Sequence, residues 1–146
     1  MAVAQDGHDL EAQRRDHVTR IKTALKDEDD PLAVYVQFVQ WITKNYPEND
    51  PQSGLSDVLK QATETFQSDS IYKNDLRYLK LWVLYARQLD IATAINMYAS
   101  LARQHIGTSY SLLYEEYARS LERVGRSVVL TVCCILLTSL FQDRRR

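Results

Sequence analysis

Leu81, Trp82, Tyr85, Ala86, Arg87 and Leu89 return 32 positions further on as Leu113, Tyr114, Tyr117, Ala118, Arg119 and Leu121. Recurrence at an interval of roughly 20 to 50 residues marks stacked repeats, in which no single unit can bury its apolar surface alone. A simple helical bundle reproduces part of such a match by chance. Six matches within nine consecutive positions favour a solenoid.

The interval approaches the roughly 34-residue tetratricopeptide (TPR) period, whose first helix carries a Trp and a Tyr, with a small residue where helices close on each other. The hydrophobic pattern agrees with helical hairpins. In the helix formed by the segment from Lys73 to Arg87 and continued to Leu89, Leu76, Leu79, Val83 and Ala86 line one helical face, and Tyr78, Trp82, Tyr85 and Leu89 line another. Two apolar faces require two neighbours. A helix over Pro31 to Tyr46 is likewise two-faced, with Leu32, Tyr35, Val36, Val39 and Ile42 beside Val34, Phe38 and Trp41. Asp30 is its expected N-cap and Pro31 its first residue, where the missing N–H costs nothing.

Pro47 and Pro51 bias the preceding residues away from the helical region, and Gly54 supplies a permissive turn position. Further helices are expected from Leu55 through Phe66 and from Ile91 to Gln104. Gly107 suits a left-handed C′ position after the latter, and Thr108 or Ser109 should cap a sixth helix ending before Gly125. Ahead of all these, Leu10, Val18, Ile21 and Leu25 form one sparse stripe on a charged helix. It can cover a core but hardly form one. The expected fold is all-α, TPR-like helical hairpin repeats stacked in a right-handed solenoid.

Composition narrows the function. Lys and Arg number 18 against 19 Asp and Glu, a net charge of -1, so nothing resembles the clustered cations that neutralise phosphates, and nucleic acid is not an expected partner. Four Gly and three Pro leave little material for the turns of an all-β fold. The N-terminal stretch lacks an apolar signal core, and Cys133 and Cys134 are sequence neighbours, which rarely reach disulfide geometry. A reducing, intracellular setting is expected.

Three ordered segments resemble one family. "DPLAVYVQFVQWITKNYPEN" (30–49), "YKNDLRYLKLW" (72–82) and "HIGTSYSLLYEEYARSLERVG" (105–125) resemble successive blocks of the N-terminal TPR domain shared by the Bub checkpoint kinases and the Mad/BubR checkpoint proteins. The resemblance implies a docking module of the spindle assembly checkpoint that holds a short amphipathic helix of the large kinetochore scaffold protein. It places peptide contacts at Trp82 and Tyr85, with Val83 alongside. On the later helix Ser120 and Val124 stand where one branch of the family has Glu and Arg. Other checkpoint complex proteins would be engaged through regions outside this chain, and the location implied is the nucleus and kinetochore, with a cytoplasmic pool. The Mad/BubR branch carries a Lys-Glu-Asn box, absent from these residues, so the resemblance leans to the Bub kinase branch. A Gly-rich loop and a His-Arg-Asp triplet are also absent, so no catalysis is expected.

The domain boundaries expected are an amphipathic helix and acidic linker over 1–29, the TPR-like domain over 30–126, and an atypical apolar segment with a basic end over 127–146. From Val128 to Phe141 that last segment carries no charge and no helical stripe. A bilayer-spanning helix needs about 20 apolar residues. Three readings stay open: a last helix packed on the sixth or in a partner, a tail anchor making the chain a membrane-tethered TPR adaptor, and a non-native ending after Arg126. Membrane association is the disfavoured one.

Each polar candidate also has a plain structural reading. A large aromatic at a repeat position is more often core than contact, which assigns Trp82 to the core and leaves Tyr85 open to either role. Phe38 and Trp41 should pack on the first helix. His8, His17 and His105 have no metal-ligand spacing and read as solvated residues, or for His105 as a cation in a helix's last turn. Neither metal nor cofactor is expected. Glu115 and Glu116 point about 100° apart on a helix and do not face one substrate.

Overall fold

The computed structural model describes residues 3–125, which divide into two compact units between Ala62 and Thr63. Among them are six α-helices, one short 3-10 helix and no strand: α1 (Val3–Asp27), α2 (Pro31–Asn45), the 3-10 helix (Pro51–Ser53), α3 (Leu55–Phe66), α4 (Leu76–Gln88), α5 (Ile91–Arg103) and α6 (Ser111–Val124). The 127–146 segment, with Cys133 and Cys134, lies outside the described residues.

In the first unit α2 starts at Pro31 behind its N-cap residue Asp30, and it stops where Tyr46 turns extended ahead of Pro47. Leu32, Val34, Tyr35, Phe38, Val39 and Ile42 are buried, as the two-faced pattern requires. α1 packs along α2, but through a different row from the expected one. Ile21 and Ala24 are buried, whereas Val18 and Leu25 are exposed. The contacting row runs through Gln13, Arg14 and His17 instead, eight, seven and four positions before Ile21.

That row is specific in its contacts. The His17 ring stacks on Phe38 at 5.2 Å and 11° and lies 5.3 Å from Trp41, so it is a packed residue rather than a solvated one. Burial, then the charge of Arg20, holds its pKa below the ordinary imidazole value. The Trp41 indole N–H donates to Gln13 Oε1 at 2.9 Å, and the packing of Phe38 and Trp41 on α1 is as expected. Arg14 donates from Nη1 to the Gln52 carbonyl and from Nη2 to the Ser53 carbonyl, both at 2.9 Å, with its guanidinium 5.7 Å from the Tyr46 ring centre. Gly54, left-handed at φ 63°, leaves room for this clamp: a Cβ there would lie 2.5 Å from Arg14 Nη2.

In the second unit, Phe66 at the end of α3 meets Tyr72 edge-on at 4.9 Å, and the Tyr78 hydroxyl donates to the Thr63 carbonyl at 2.6 Å. α4 begins where Asp75 accepts from the Arg77 amide (2.9 Å), and α5 where Asp90 accepts from the Thr93 amide (3.0 Å). Both are side-chain caps that satisfy an orphan N–H of the first turn.

The turn after α5 departs from expectation. His105, not Gly107, takes the left-handed C′ position, at φ 57°, with Ile106 N–H reaching the Leu101 carbonyl (3.0 Å) and His105 N–H the Ala102 carbonyl (3.3 Å). This is the paired closure of a Schellman turn. Gly107 is also left-handed, at φ 69°, but its task is close approach: its N–H donates to the Lys73 carbonyl at 2.8 Å, and a Cβ would stand 2.8 Å from a Leu79 methyl. Tyr110 adds a second tie, its hydroxyl donating to the Asn74 carbonyl at 2.7 Å. Tyr110 is also the N-cap residue of α6, in place of Thr108 or Ser109, and makes no side-chain cap.

Candidate functional site

The repeat seen in sequence is a repeat of position. α4 and α6 are neighbouring helices in contact with each other, and Leu81 and Leu113 are both buried at matched places. Tyr85 and Tyr117 are also matched; Tyr85 is half-buried while Tyr117 is buried against Tyr98, ring centres 6.0 Å apart.

The five residues singled out for peptide contact divide by accessibility. Trp82 is 7% exposed and Val83 is buried, so both belong to the core. The Trp82 ring sits 6.0 Å from Tyr78 and 6.4 Å from Tyr85, which carries the aromatic row outward to the surface. On α6, Ser120 is half-buried and its hydroxyl donates to the Glu116 carbonyl at 2.9 Å. Val124, one turn later, is 57% exposed. Ser120 and Val124 follow Tyr117 by three and seven positions and so lie on its side of α6.

One cluster escaped the sequence reading. Glu116 is buried, its side chain 10% exposed, and its Oε1 accepts from Arg87 Nη2 of α4 at 3.4 Å and from Arg119 Nη1 of its own helix. Glu115 beside it is exposed, so the two carboxylates indeed do not share a face. Arg87 and Arg119 are repeat partners, and a cation at matched positions of two adjacent helices was the available signal for a shared anion. Burial and then the Glu116 charge push the neighbouring Tyr98 phenol up to about 12, and burial does the same for Tyr78, to about 12. Among the described residues no group of three or more His, Cys, Asp or Glu is placed to hold a metal, and no helix is long and apolar enough to cross a membrane.

Helical pairs of this kind, matched in position and closed by aromatic and small residues, define a TPR-like all-α domain. The chain belongs to the family of Mad3/BUB1 homology region 1, whose model matches residues 12–128. That match takes in most of α1, ahead of the three sequence blocks. Among its relatives, the chain is 35% identical over 117 residues to the mitotic spindle checkpoint component mad3 of Schizosaccharomyces pombe, covering 80% of this chain and 37% of that protein. It is 32% identical over 113 residues to the mitotic checkpoint serine/threonine-protein kinase BUB1 beta of Mus musculus, covering 77% of this chain and 10% of the relative.

Two solved structures agree. A chain in the crystal structure of a mitotic checkpoint complex matches with a TM-score of 0.75 at 32% identity, over 84% of this chain and 56% of that one. The conserved N-terminal domain of the mitotic checkpoint component BUB1 matches with a TM-score of 0.72 at 29% identity, over 80% of this chain and 61% of that one. The chain therefore spans about a third or a tenth of the curated relatives it matches. It corresponds to their homology region alone, and the kinase domain of the kinase relatives is absent from these 146 residues. It is a domain of the kind found at the N-terminus of BUB1, in a family whose named relatives are spindle checkpoint components.

Proposed function

We propose that this domain docks a short amphipathic helical motif of the kinetochore scaffold, and so brings the protein that carries it to kinetochores during mitotic checkpoint signalling. The supporting observation is that Tyr85 on α4 and Ser120 and Val124 on α6 are accessible on two helices that touch, with the Tyr85 ring backed by the buried Trp82 at 6.4 Å. A helical peptide needs an apolar strip with firm backing, since its affinity comes from a few anchors seated against packed side chains. Tyr85 is such an anchor partner: its ring adds apolar area and its hydroxyl stays wet. Trp82 acts by supporting it, whereas Val83, on the other face of α4, serves the core. Partners drawn from other checkpoint proteins, and nuclear and cytoplasmic pools, belong to the same reading.

Calorimetric titration of the 146-residue chain with a synthetic peptide covering the scaffold's helical motif tests the assignment. Tyr85→Ala should weaken binding by roughly tenfold or more, the loss of one central aromatic anchor at about 1.4 kcal/mol or above. Unchanged affinity in a variant that melts like the wild type would remove Tyr85 from the site.

A further inference from the structure

The buried Glu116 does more than close α4 onto α6. Its single oxygen holds both Arg87 and Arg119, yet 55% and 54% of those two side chains remain exposed. A guanidinium has five N–H donors in a rigid fork, so each arginine is oriented by one bond and keeps donors turned to solvent. Arg123, exposed one turn beyond Arg119, joins them: all three arginines act electrostatically on the same Tyr98 hydroxyl. Lys80, exposed, lies two turns before Arg87 on the same side of α4. Four cations therefore follow one edge of two adjacent helices, and the carboxylate that faces them, Glu116, is already engaged. Glu115 and Glu122 form the neighbouring row of α6 and bound the strip on one flank.

We propose that Lys80, Arg87, Arg119 and Arg123 form a docking strip for an acidic peptide segment of a partner protein, separate from Tyr85, which lies about 200° round α4 from Arg87. The occupant follows from charge complementarity. Carboxylates pair bidentately with pre-oriented guanidiniums, and holding Arg87 and Arg119 in place beforehand removes side-chain entropy that free arginines would lose on binding. The whole chain has a net charge of -1, so general attraction to polyanions is not available, and any acidic ligand that binds must do so through a local concentration of cations. Val124 lies about 100° round α6 from Arg123, with Ser120 between the two rows, so the strip and the Val124 side are adjacent but distinct.

Fluorescence anisotropy of a labelled oligo-glutamate peptide, titrated with the 146-residue chain at low salt, reads the strip directly. Binding is expected to weaken as salt is raised and to fall by roughly tenfold or more in the double variant Lys80→Glu, Arg123→Glu, neither of which touches Glu116. Tyr85→Ala should leave it unchanged, separating this strip from the scaffold-peptide surface. Should the charge reversals disturb folding, Glu115→Gln with Glu122→Gln tests the same point in the other direction, by tightening the peptide. Equal binding by the wild type and the charge variants would overturn the proposal. An oligonucleotide of matched charge that binds more tightly than oligo-glutamate would also overturn it, in favour of a phosphate-reading surface.

Discussion

Gly107→Ala should be among the most damaging single-methyl additions in this domain. Two independent costs add at the site. The backbone there is left-handed, at φ 69°, which costs a residue with a Cβ about 1 to 2 kcal/mol. The new Cβ would stand 2.8 and 2.9 Å from the two methyls of Leu79 and 3.1 Å from its Cγ, where about 3.5 Å is the closest comfortable carbon contact. Leu79 is fully buried and cannot swing aside, so relief must come from moving the turn, which lengthens the 2.8 Å bond from the Gly107 amide to the Lys73 carbonyl. Overpacking of this kind costs typically about 1 to 3 kcal/mol.

The sum, about 2 to 5 kcal/mol, is a large share of the stability of a single domain and should lower the melting temperature by roughly 6 to 20 °C. Thermal unfolding followed by far-ultraviolet circular dichroism measures it. Gly7→Ala is the internal control: it lies within α1, nothing stands within 4 Å of the place its methyl would occupy, and the change should be neutral or stabilising by up to about 1 kcal/mol. A Gly107→Ala melt within about 2 °C of the wild type would refute the close-packing argument and with it the role given to the tie between Lys73 and Gly107.

Two further outcomes concern α1. Arg14→Ala removes both guanidinium bonds to the 52–53 carbonyls and should destabilise the first unit by about 1 to 2 kcal/mol, seen as faster amide exchange in the Pro51–Ser53 turn with little change in α5 and α6. His17 has its pKa held below 6.5 in the folded state, so the unfolded chain binds the extra proton first. Stability should therefore fall as pH drops below about 6.5 and on through the folded pKa, and His17→Gln should flatten that slope in denaturant titrations at several pH values. A slope unaltered by the substitution would place the acid sensitivity elsewhere.

Much of this architecture is legible in the residues themselves. The starts of α2 and α3, at Pro31 and Leu55, follow from proline and glycine punctuation, and the pairing of α4 with α6 from six recurring residues. What escaped was polar. α1 docks through Gln13, Arg14 and His17, and a pattern built on apolar periodicity selects Val18 and Leu25, which face solvent. The left-handed residue after α5 is a histidine, although the next turn offers a glycine: the Schellman bonds fix His105, while Gly107 answers to Leu79 across the fold. Glu116 could not be told from Glu115 by composition, since only its contact with an arginine of α4 makes it a buried charge. Local rules find elements well; they do not see which polar side chains a distant element will enclose.

Docking through the surface across α4 and α6 is the central claim. Amide chemical-shift mapping of the isotope-labelled chain, titrated with the scaffold's helical peptide, tests it most directly. Perturbations should centre on Tyr85, Ser120 and Val124 and their immediate neighbours. Shifts confined to α1 and α2, or none at saturating peptide, would contradict it.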